Sequence, residues 1–170
     1  MEYSGWDQDL LDIDGAVSPD LLCNLLDMPK LYPGKLNHYD AVYCSHNLEH
    51  YYAHEVPKVL HIFMSALKDG GSVEISVPNV KDLMRAMLAT NLDIGDVWYR
   101  VGDAPITFHD VLYGYGPEMA GGNIYYAHKC GFTGLSLWNA LARAGFENVT
   151  VADEGMNLRG RGTKPCPQSP

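Results

Sequence analysis

The chain of 170 residues is long enough for one domain with a sizeable core, since 46% of its residues are hydrophobic. Its formal net charge of −9 at pH 7 repels a phosphate backbone, which argues against nucleic acid as a partner. No apolar run approaches the roughly 18 residues of a membrane span, which argues against a membrane partner, and four scattered cysteines are typical of a cytoplasmic protein.

Three compact apolar runs predict strands in the first third of the chain. Residues 10–14 are mostly apolar, end in carboxylates and are followed by Gly15, which breaks the run. Residues 19–23 are a second short candidate, and residues 41–45 are the third. Each of the three is short enough for a strand and too short for a helix.

Helical spacing begins after the third strand. Apolar residues recur at helical intervals over residues 55–67, which predicts an amphipathic helix. Residues 72–77 then indicate a further strand, and Asn79 or Asp82 can cap a helix that runs to Leu88.

The second half of the chain combines an irregular segment with a regular one. Residues 89–128 show no clean period and are rich in Gly, Tyr and His, so we interpret them as an insertion over one face. Residues 133–144 predict an amphipathic helix whose inward side chains include Leu135 and Trp138. A strand over residues 146–152 follows.

The order of these elements predicts the fold class. Strands that alternate with helices indicate an α/β protein with a mainly parallel sheet that is covered on both faces. We expect residues 1–155 to form the domain, with the insertion at 89–128 on its substrate side. Residues 156–170 are expected to add an edge strand and a frayed tail.

One short motif allows two interpretations. The segment from His46 through Glu49 to His50 fits the H-x-x-E-H pattern of inverted zinc peptidases, which place both histidines on one helix. Residues 41–45 before it are strand-like, however, and helical spacing begins only near Glu55. We therefore predict a loop at the end of a strand and no zinc bound at His46 and His50, with the peptidase as a remote alternative.

Polar side chains follow the predicted strands where a doubly wound sheet binds its ligands, beyond the carboxyl strand ends. A carboxylate at such an end can accept two hydrogen bonds from the hydroxyl groups of a ribose. Asp12 fits that role, although a solvated turn is the alternative for both Asp12 and Asp14. The other candidates at these strand ends are Asn24, Ser45 and His46.

Two longer stretches carry a family resemblance. The first comprises YDAVYCSHNLEH and VLHIFMSALKDGGSVEISVPN, and the second is HKCGFTGLSLWNALARAGFENV. Both resemble class I S-adenosylmethionine-dependent methyltransferases, in particular the small methyltransferases of the type 11-like group. The resemblance covers most of residues 5–150. It implies a three-layer Rossmann-like fold, S-adenosylmethionine as cofactor, and methyl transfer to an oxygen or nitrogen of a small or glycan-type acceptor.

The resemblance also implies roles for single residues around the cofactor. It assigns Asp12 to the cofactor ribose, and we keep Asp14 as a further cofactor-binding candidate. It assigns the adenine to Asn24 and Leu25. The methionine end of the cofactor would then lie beside the loop that begins with Ser45 and His46.

The acceptor side is less sharply marked. His46 or His128 is a candidate general base for the acceptor's proton. Tyrosine and histidine side chains combine an apolar body with a polar tip, which suits a hydroxylated acceptor. An interface or a packing layer is the alternative for those of the insertion, namely His109, Tyr113, Tyr125 and Tyr126.

The chain departs from the family pattern before its first predicted strand. Family members place a strand and a Gly-rich turn ahead of the acidic strand, whereas only nine residues precede Leu10 here. We expect that first strand and its loop to be absent, and cofactor binding to be weak. The chain is then an incomplete product, a degenerate methyltransferase that serves as a binding or scaffold module, or a site completed by a second subunit. Either the acidic strand pairs with residues 41–45, or a homodimer or partner subunit covers the edge.

Overall fold

The computed structural model describes residues 5–167. Residues 168–170 of the expected frayed tail lie outside the described part. In chain order, the strands are β1 (Leu11–Asp12), β2 (Leu21–Leu22), β3 (Tyr39–Ser45), β4 (Leu67–Pro78), β5 (Val97–Val101), β6 (Ala104–Thr107), β7 (Glu147–Glu154) and β8 (Asn157–Thr163). The α-helices are α1 (Met28–Leu31), α2 (Val56–Ala66), α3 (Val80–Thr90), α4 (Phe108–Tyr113), α5 (Gly116–Ala120) and α6 (Gly134–Arg143).

The strands form one four-stranded sheet and two pairs. The larger sheet has the order β3-β4-β8-β7, with β3 parallel to β4 and with β8 antiparallel to both of its neighbours. β1 and β2 form a separate parallel pair, and β5 and β6 form an antiparallel hairpin. The sheet is therefore mixed rather than mainly parallel. Of the two alternatives for the acidic strand, direct pairing with residues 41–45 is contradicted, since β1 and β3 belong to different sheets.

The last strand lies inside the sheet and not at its edge. β8 pairs with β4 on one side and with β7 on the other, so β7 is the edge strand, contrary to prediction. Gly160 leaves room there for α6, because a Cβ at this position would lie 2.9 Å from the Leu137 side chain. The helix therefore packs closely against the middle of β8.

Local sequence explains where the longer helices begin and which faces they bury. Asn79 caps α3, as predicted, and Thr133 caps α6 by accepting a hydrogen bond from the Ser136 backbone. The side chains of Leu137 and Leu141, one turn apart, are fully buried.

Two inward positions of α6 were predicted wrongly. Leu135 is 72% exposed, because it lies about 200° around the helix from Leu137. Trp138 is 43% exposed, and its indole Nε1–H donates a hydrogen bond of 3.2 Å to the Val149 carbonyl.

The irregular segment 89–128 folds into the β5–β6 hairpin and the short helices α4 and α5. Thr107 and Asp110 form a capping box at the start of α4. Among residues 5–167, none of the helices combines the length and apolar character that crossing a bilayer requires.

Candidate functional site

A cavity of about 400 Å³ opens where β1, β2 and β3 end, and we call it the ligand cavity. Parallel strands of α/β folds bind ligands at this end. The cavity brings together most of the residues that the sequence marked for cofactor or acceptor. Those that line it are Asp12, Asp14, Asn24, Leu25, His46, Tyr125 and Tyr126.

The carboxylates after β1 shape the local turn. Asp12 Oδ1 accepts a hydrogen bond of 2.8 Å from the Asp14 backbone N–H. Asp14 Oδ1 accepts one of 2.8 Å from Ala16 and caps the 3-10 turn Gly15–Val17. The bond to Asp14 occupies one oxygen of the half-buried Asp12, and the other oxygen can accept a hydrogen bond from a ligand. Asp14 is exposed and its carboxylate serves the cap.

The segment after β2 places an amide and an apolar side chain at the ligand cavity. Asn24 Oδ1 accepts a hydrogen bond of 2.9 Å from the Leu26 backbone and caps the 3-10 turn Leu25–Asp27. The side-chain NH₂ group of Asn24 takes no part in that bond, so it can donate to a ligand. Leu25 is buried beside it.

The segment after β3 is a loop, as predicted, and not a helix. His46 adopts a left-handed φ of 47°, and the 3-10 turn Leu48–His50 follows. His46 is half exposed, and its Nδ1 lies 3.4 Å from Oε1 of the buried Glu49. The Glu49 carboxylate raises the pKa of the His46 imidazole above its ordinary value, against the opposing effect of desolvation.

The tyrosines of the insertion reach the ligand cavity through a close backbone contact. They belong to the 3-10 turn Ile124–Tyr126, which packs against Gly114. A Cβ on Gly114 would lie 1.9 Å from the Tyr126 carbonyl oxygen, so only glycine fits here. This contact positions Tyr125 and Tyr126 at the cavity.

A second cavity, of about 390 Å³, lies between β1 and β3, and we call it the inter-sheet cavity. Ser45 lines this cavity rather than the ligand cavity. Asp9 bridges the two sheets at one end, because its Oδ2 accepts hydrogen bonds of 2.6 Å from Lys35 Nζ and from Tyr39 Oη. The cavities share the wall formed by Leu11, Asp12, Leu25 and Asn47.

A sequence model of one protein family matches this chain over residues 4–151, and the family is described as a methyltransferase domain. The chain belongs to this methyltransferase-domain family. No curated protein matches the sequence significantly.

Solved methyltransferases share the fold of this methyltransferase domain. A SAM-dependent methyltransferase from Archaeoglobus fulgidus is 14% identical, with a TM-score of 0.57 over 91% of this chain and 74% of that one. The 1,6-didemethyltoxoflavin-N1-methyltransferase of Burkholderia thailandensis is 13% identical, with a TM-score of 0.51 over 91% and 60%. An O-methyltransferase family protein of the same species is 14% identical, with a TM-score of 0.50 over 86% and 35%.

These matches confirm the α/β Rossmann-like methyltransferase fold that the sequence predicted. The chain spans only about a third of the O-methyltransferase family protein, of which 35% is covered. At such identities the likeness concerns the fold and carries no information about the acceptor.

Besides Ser45, three predicted residues of the methyltransferase domain lie outside the lining of the ligand cavity. His109 and Tyr113 contact each other on α4, with ring centroids 5.0 Å apart. The Nδ1 atom of His128 lies 3.0 Å from the Val111 carbonyl, and burial lowers the pKa of His128. The ring of His128 packs against His50, with centroids 4.9 Å apart.

Some residues that line the ligand cavity were not predicted from the sequence, among them Lys129, Tyr52 and Glu55. The ammonium group of Lys129 lies 5.2 Å from the ring centroid of Tyr52, a cation–π contact at the cavity. Glu55 Oε2 accepts a hydrogen bond of 2.9 Å from the Tyr52 backbone. No local spacing in the sequence connects Lys129 with Tyr52.

Proposed function

We propose that this methyltransferase domain uses S-adenosylmethionine to methylate an oxygen or nitrogen of a small or glycan-type acceptor. The observation that carries the proposal is that one cavity collects both the cofactor candidates and the acceptor-side tyrosines. Its volume of about 400 Å³ is ordinary for a small-molecule site. The 1,6-didemethyltoxoflavin-N1-methyltransferase of the same fold has bound 1,6-didemethyltoxoflavin and S-adenosylhomocysteine.

The chemistry of the donor set fits the cofactor. The second carboxylate oxygen of Asp12 can accept from a ribose hydroxyl, and the Asn24 amide can donate to an adenine nitrogen. Leu25 provides an apolar surface beside them. Asp12 and Asp14 together give this end of the cavity a negative potential, which favours a cationic ligand.

When bound, S-adenosylmethionine supplies a methyl group on a sulfonium centre that is already electrophilic. The work left to the protein is to position the acceptor and to remove its proton. Tyr125 and Tyr126 offer hydroxyl groups and ring faces to such an acceptor at the cavity wall.

His46 is a better candidate for the general base than His128. His46 lines the ligand cavity, and the Glu49 carboxylate beside its Nδ1 favours the tautomer that leaves Nε2 as the proton acceptor. His128 is absent from the cavity lining and packs against His50 instead. Glu49 and His46 would thus form an acid–histidine pair, in which the acid orients the imidazole and the imidazole removes the acceptor's proton.

Calorimetric titration with S-adenosylhomocysteine tests the cofactor site. Asp12→Asn keeps an oxygen for the Asp14 N–H but removes the charge, so affinity should fall by about 10–100-fold. Asp14→Asn removes the same charge and retains a good helix cap, so it is the matched control. Equal losses in both variants would place the ribose elsewhere.

A second candidate function, binding of an extended strand, is favoured by the inter-sheet cavity. The Leu10 and Asp12 carbonyls accept hydrogen bonds from the second strand, so the Leu11 backbone groups point to the opposite side. The His46 backbone N–H donates a hydrogen bond to the Ser76 carbonyl of β4. Backbone groups of successive strand residues point to opposite sides, so those of Ala41, five positions earlier, are directed away from β4. Two strand edges therefore face one cavity.

We propose that one apolar strand from another chain occupies this cavity and joins the two sheets. The floor is apolar, since Ile62, Phe63 and Ala66 of α2 line it. A symmetric second copy fits less well, because the cavity takes one strand between two different edges.

Fluorescence anisotropy with a labelled heptapeptide of valine and isoleucine, flanked by lysines, measures this binding. A peptide with proline at alternate positions is the control, since proline cannot donate to the strand ladder. Equal affinity of the two peptides would overturn the proposal. Self-association that blocks the peptide would assign the cavity to a second copy instead.

A further inference from the structure

A cluster of potential metal ligands lies next to the ligand cavity. The cluster consists of Glu49, His50 and His128. Each offers one ligand atom, and these three atoms lie within 4.8 Å of one another. Glu49 and His50 belong to the turn after β3, while His128 comes from the end of the insertion. The long separation along the chain shows that tertiary structure, and not a local motif, assembles the three.

The Glu49 carboxylate is the observation that points to a ligand. Its side chain is 1% exposed, and within residues 5–167 Oε2 has no hydrogen-bond partner, while Oε1 has only the long contact of 3.4 Å to His46 Nδ1. A buried carboxylate with one long contact to a half-exposed histidine is poorly compensated, and proteins normally supply a cation, a donor or a proton at such a group. The backbone around it is well anchored, because the Glu49 carbonyl accepts hydrogen bonds of 2.8 and 3.2 Å from Lys129 and Cys130.

The hydrogen bonds of the two histidines select the tautomer that metal ligands commonly use. Nδ1 of His50 lies 3.0 Å from the Ala127 carbonyl, and Nδ1 of His128 lies 3.0 Å from the Val111 carbonyl. A carbonyl only accepts, so each Nδ1 carries the proton and each Nε2 keeps its lone pair. Metal-binding histidines use the same device, in which a second-shell carbonyl fixes the tautomer and the ring.

We propose that Glu49, His50 and His128 bind one divalent transition metal ion, with Zn²⁺ as the best match. Two imidazole nitrogens and one carboxylate oxygen suit zinc, and three protein ligands leave a coordination position open. The proposal departs from the prediction of no metal, which was made for His46 and His50 as the ligand pair. It also differs from the inverted peptidase set, because His46 is at the end of β3 and outside the trio.

The competing explanation is that Glu49 is compensated by His46, 3.4 Å away, with no metal. The two explanations differ in their response to substitution. Loss of His46 leaves all three proposed metal ligands in place. Loss of His128 leaves the Glu49–His46 contact in place and removes one ligand.

Zn²⁺ titration of chelator-treated protein against a competing chromophoric chelator tests the site. We expect one Zn²⁺ per chain, at least about 10–100-fold weaker binding in Glu49→Gln and His128→Ala, and nearly unchanged binding in His46→Ala. His61→Ala, which removes an exposed histidine of α2, is the control for surface binding. Affinity that is equal in wild type, Glu49→Gln and His128→Ala would overturn the proposal.

A measurement on the unaltered protein covers the case in which a variant does not fold. Nitrogen-15 NMR of the histidine rings should show Zn²⁺ shifting the Nε2 signals of two histidines whose Nδ1 atoms stay protonated. Shifts confined to exposed histidines would also overturn the proposal. Both tests are made without cofactor, so their outcome is independent of methyl transfer.

Discussion

Gly114 is the position at which one added methyl group should most disturb the acceptor side of the ligand cavity. Its φ of 101° and ψ of 161° lie in a region that essentially only glycine adopts. An added Cβ would lie 1.9 Å from the Tyr126 carbonyl oxygen, whereas ordinary contact begins at 3.4 Å. The turn that carries Tyr126 would therefore have to move by about 1.5 Å, the difference between these two distances.

We expect Gly114→Ala to lower the free energy of unfolding by about 1–3 kcal/mol through backbone strain and by about 1–3 kcal/mol more through overpacking. Gly122→Ala is the matched control, since Gly122 has the same φ of 101° and no described atom within 4 Å of an added Cβ. Gly122→Ala should therefore lose only the part of the free energy of unfolding that comes from backbone strain. Urea denaturation measures both losses, and equal losses would refute the steric argument.

Two further predictions concern stability. Lys35 and Tyr39 hold the pKa of Asp9 below its ordinary value through hydrogen bonds, so Asp9→Asn should destabilise the protein. That stability is present above about pH 4 and is lost as the pH falls through the lowered pKa, so the difference from wild type should shrink in acid. Urea denaturation across the pH range measures it, and a constant difference would contradict the assignment. Leu137→Ala should lower the free energy of unfolding by about 2–5 kcal/mol, and the exposed Leu135→Ala by less than about 0.5 kcal/mol. Thermal denaturation measures both losses, and similar values would contradict the burial of Leu137.

The residues of the ligand cavity could be found from the sequence because the signals are local. Asp12, Asn24 and His46 each come directly after a short apolar run. A parallel arrangement then brings the strand ends together without any knowledge of the side-chain contacts. The cytoplasmic location and the residue roles stay predictions.

The position of β8 could not be found in the same way. Its sequence contains Gly160, Gly162 and two arginines, which resembles an exposed edge. Its place inside the sheet depends on α6, which packs so closely that glycine is required. Buried Glu74 on β4 also forms an ion pair of 2.7 Å with Arg161. Such pairings between distant segments leave no periodic signal.

The motif at His46 shows the same limit. Its spacing suggested a helix with two histidine ligands, and the preceding strand correctly argued against that helix. The structure nevertheless gathers Glu49 and His50 with His128, which lies 78 positions after His50. A local pattern can thus be wrong about geometry and still mark residues that the fold brings together.

The shared wall of the two cavities connects the two proposed functions. A strand bound between β1 and β3 would pair with Leu11 and hold Asp12, the proposed ribose acceptor, in place. The bound strand would restrict the motion of Asp12, which cofactor binding must otherwise restrict at a cost in conformational entropy. Each ligand should therefore raise the affinity for the other. Thermodynamic linkage requires the peptide to raise the affinity for S-adenosylhomocysteine by the same factor by which S-adenosylhomocysteine raises the affinity for the peptide. Titration of each ligand with the other saturating measures both factors, and factors of one would show that Asp12 is already fixed without the strand.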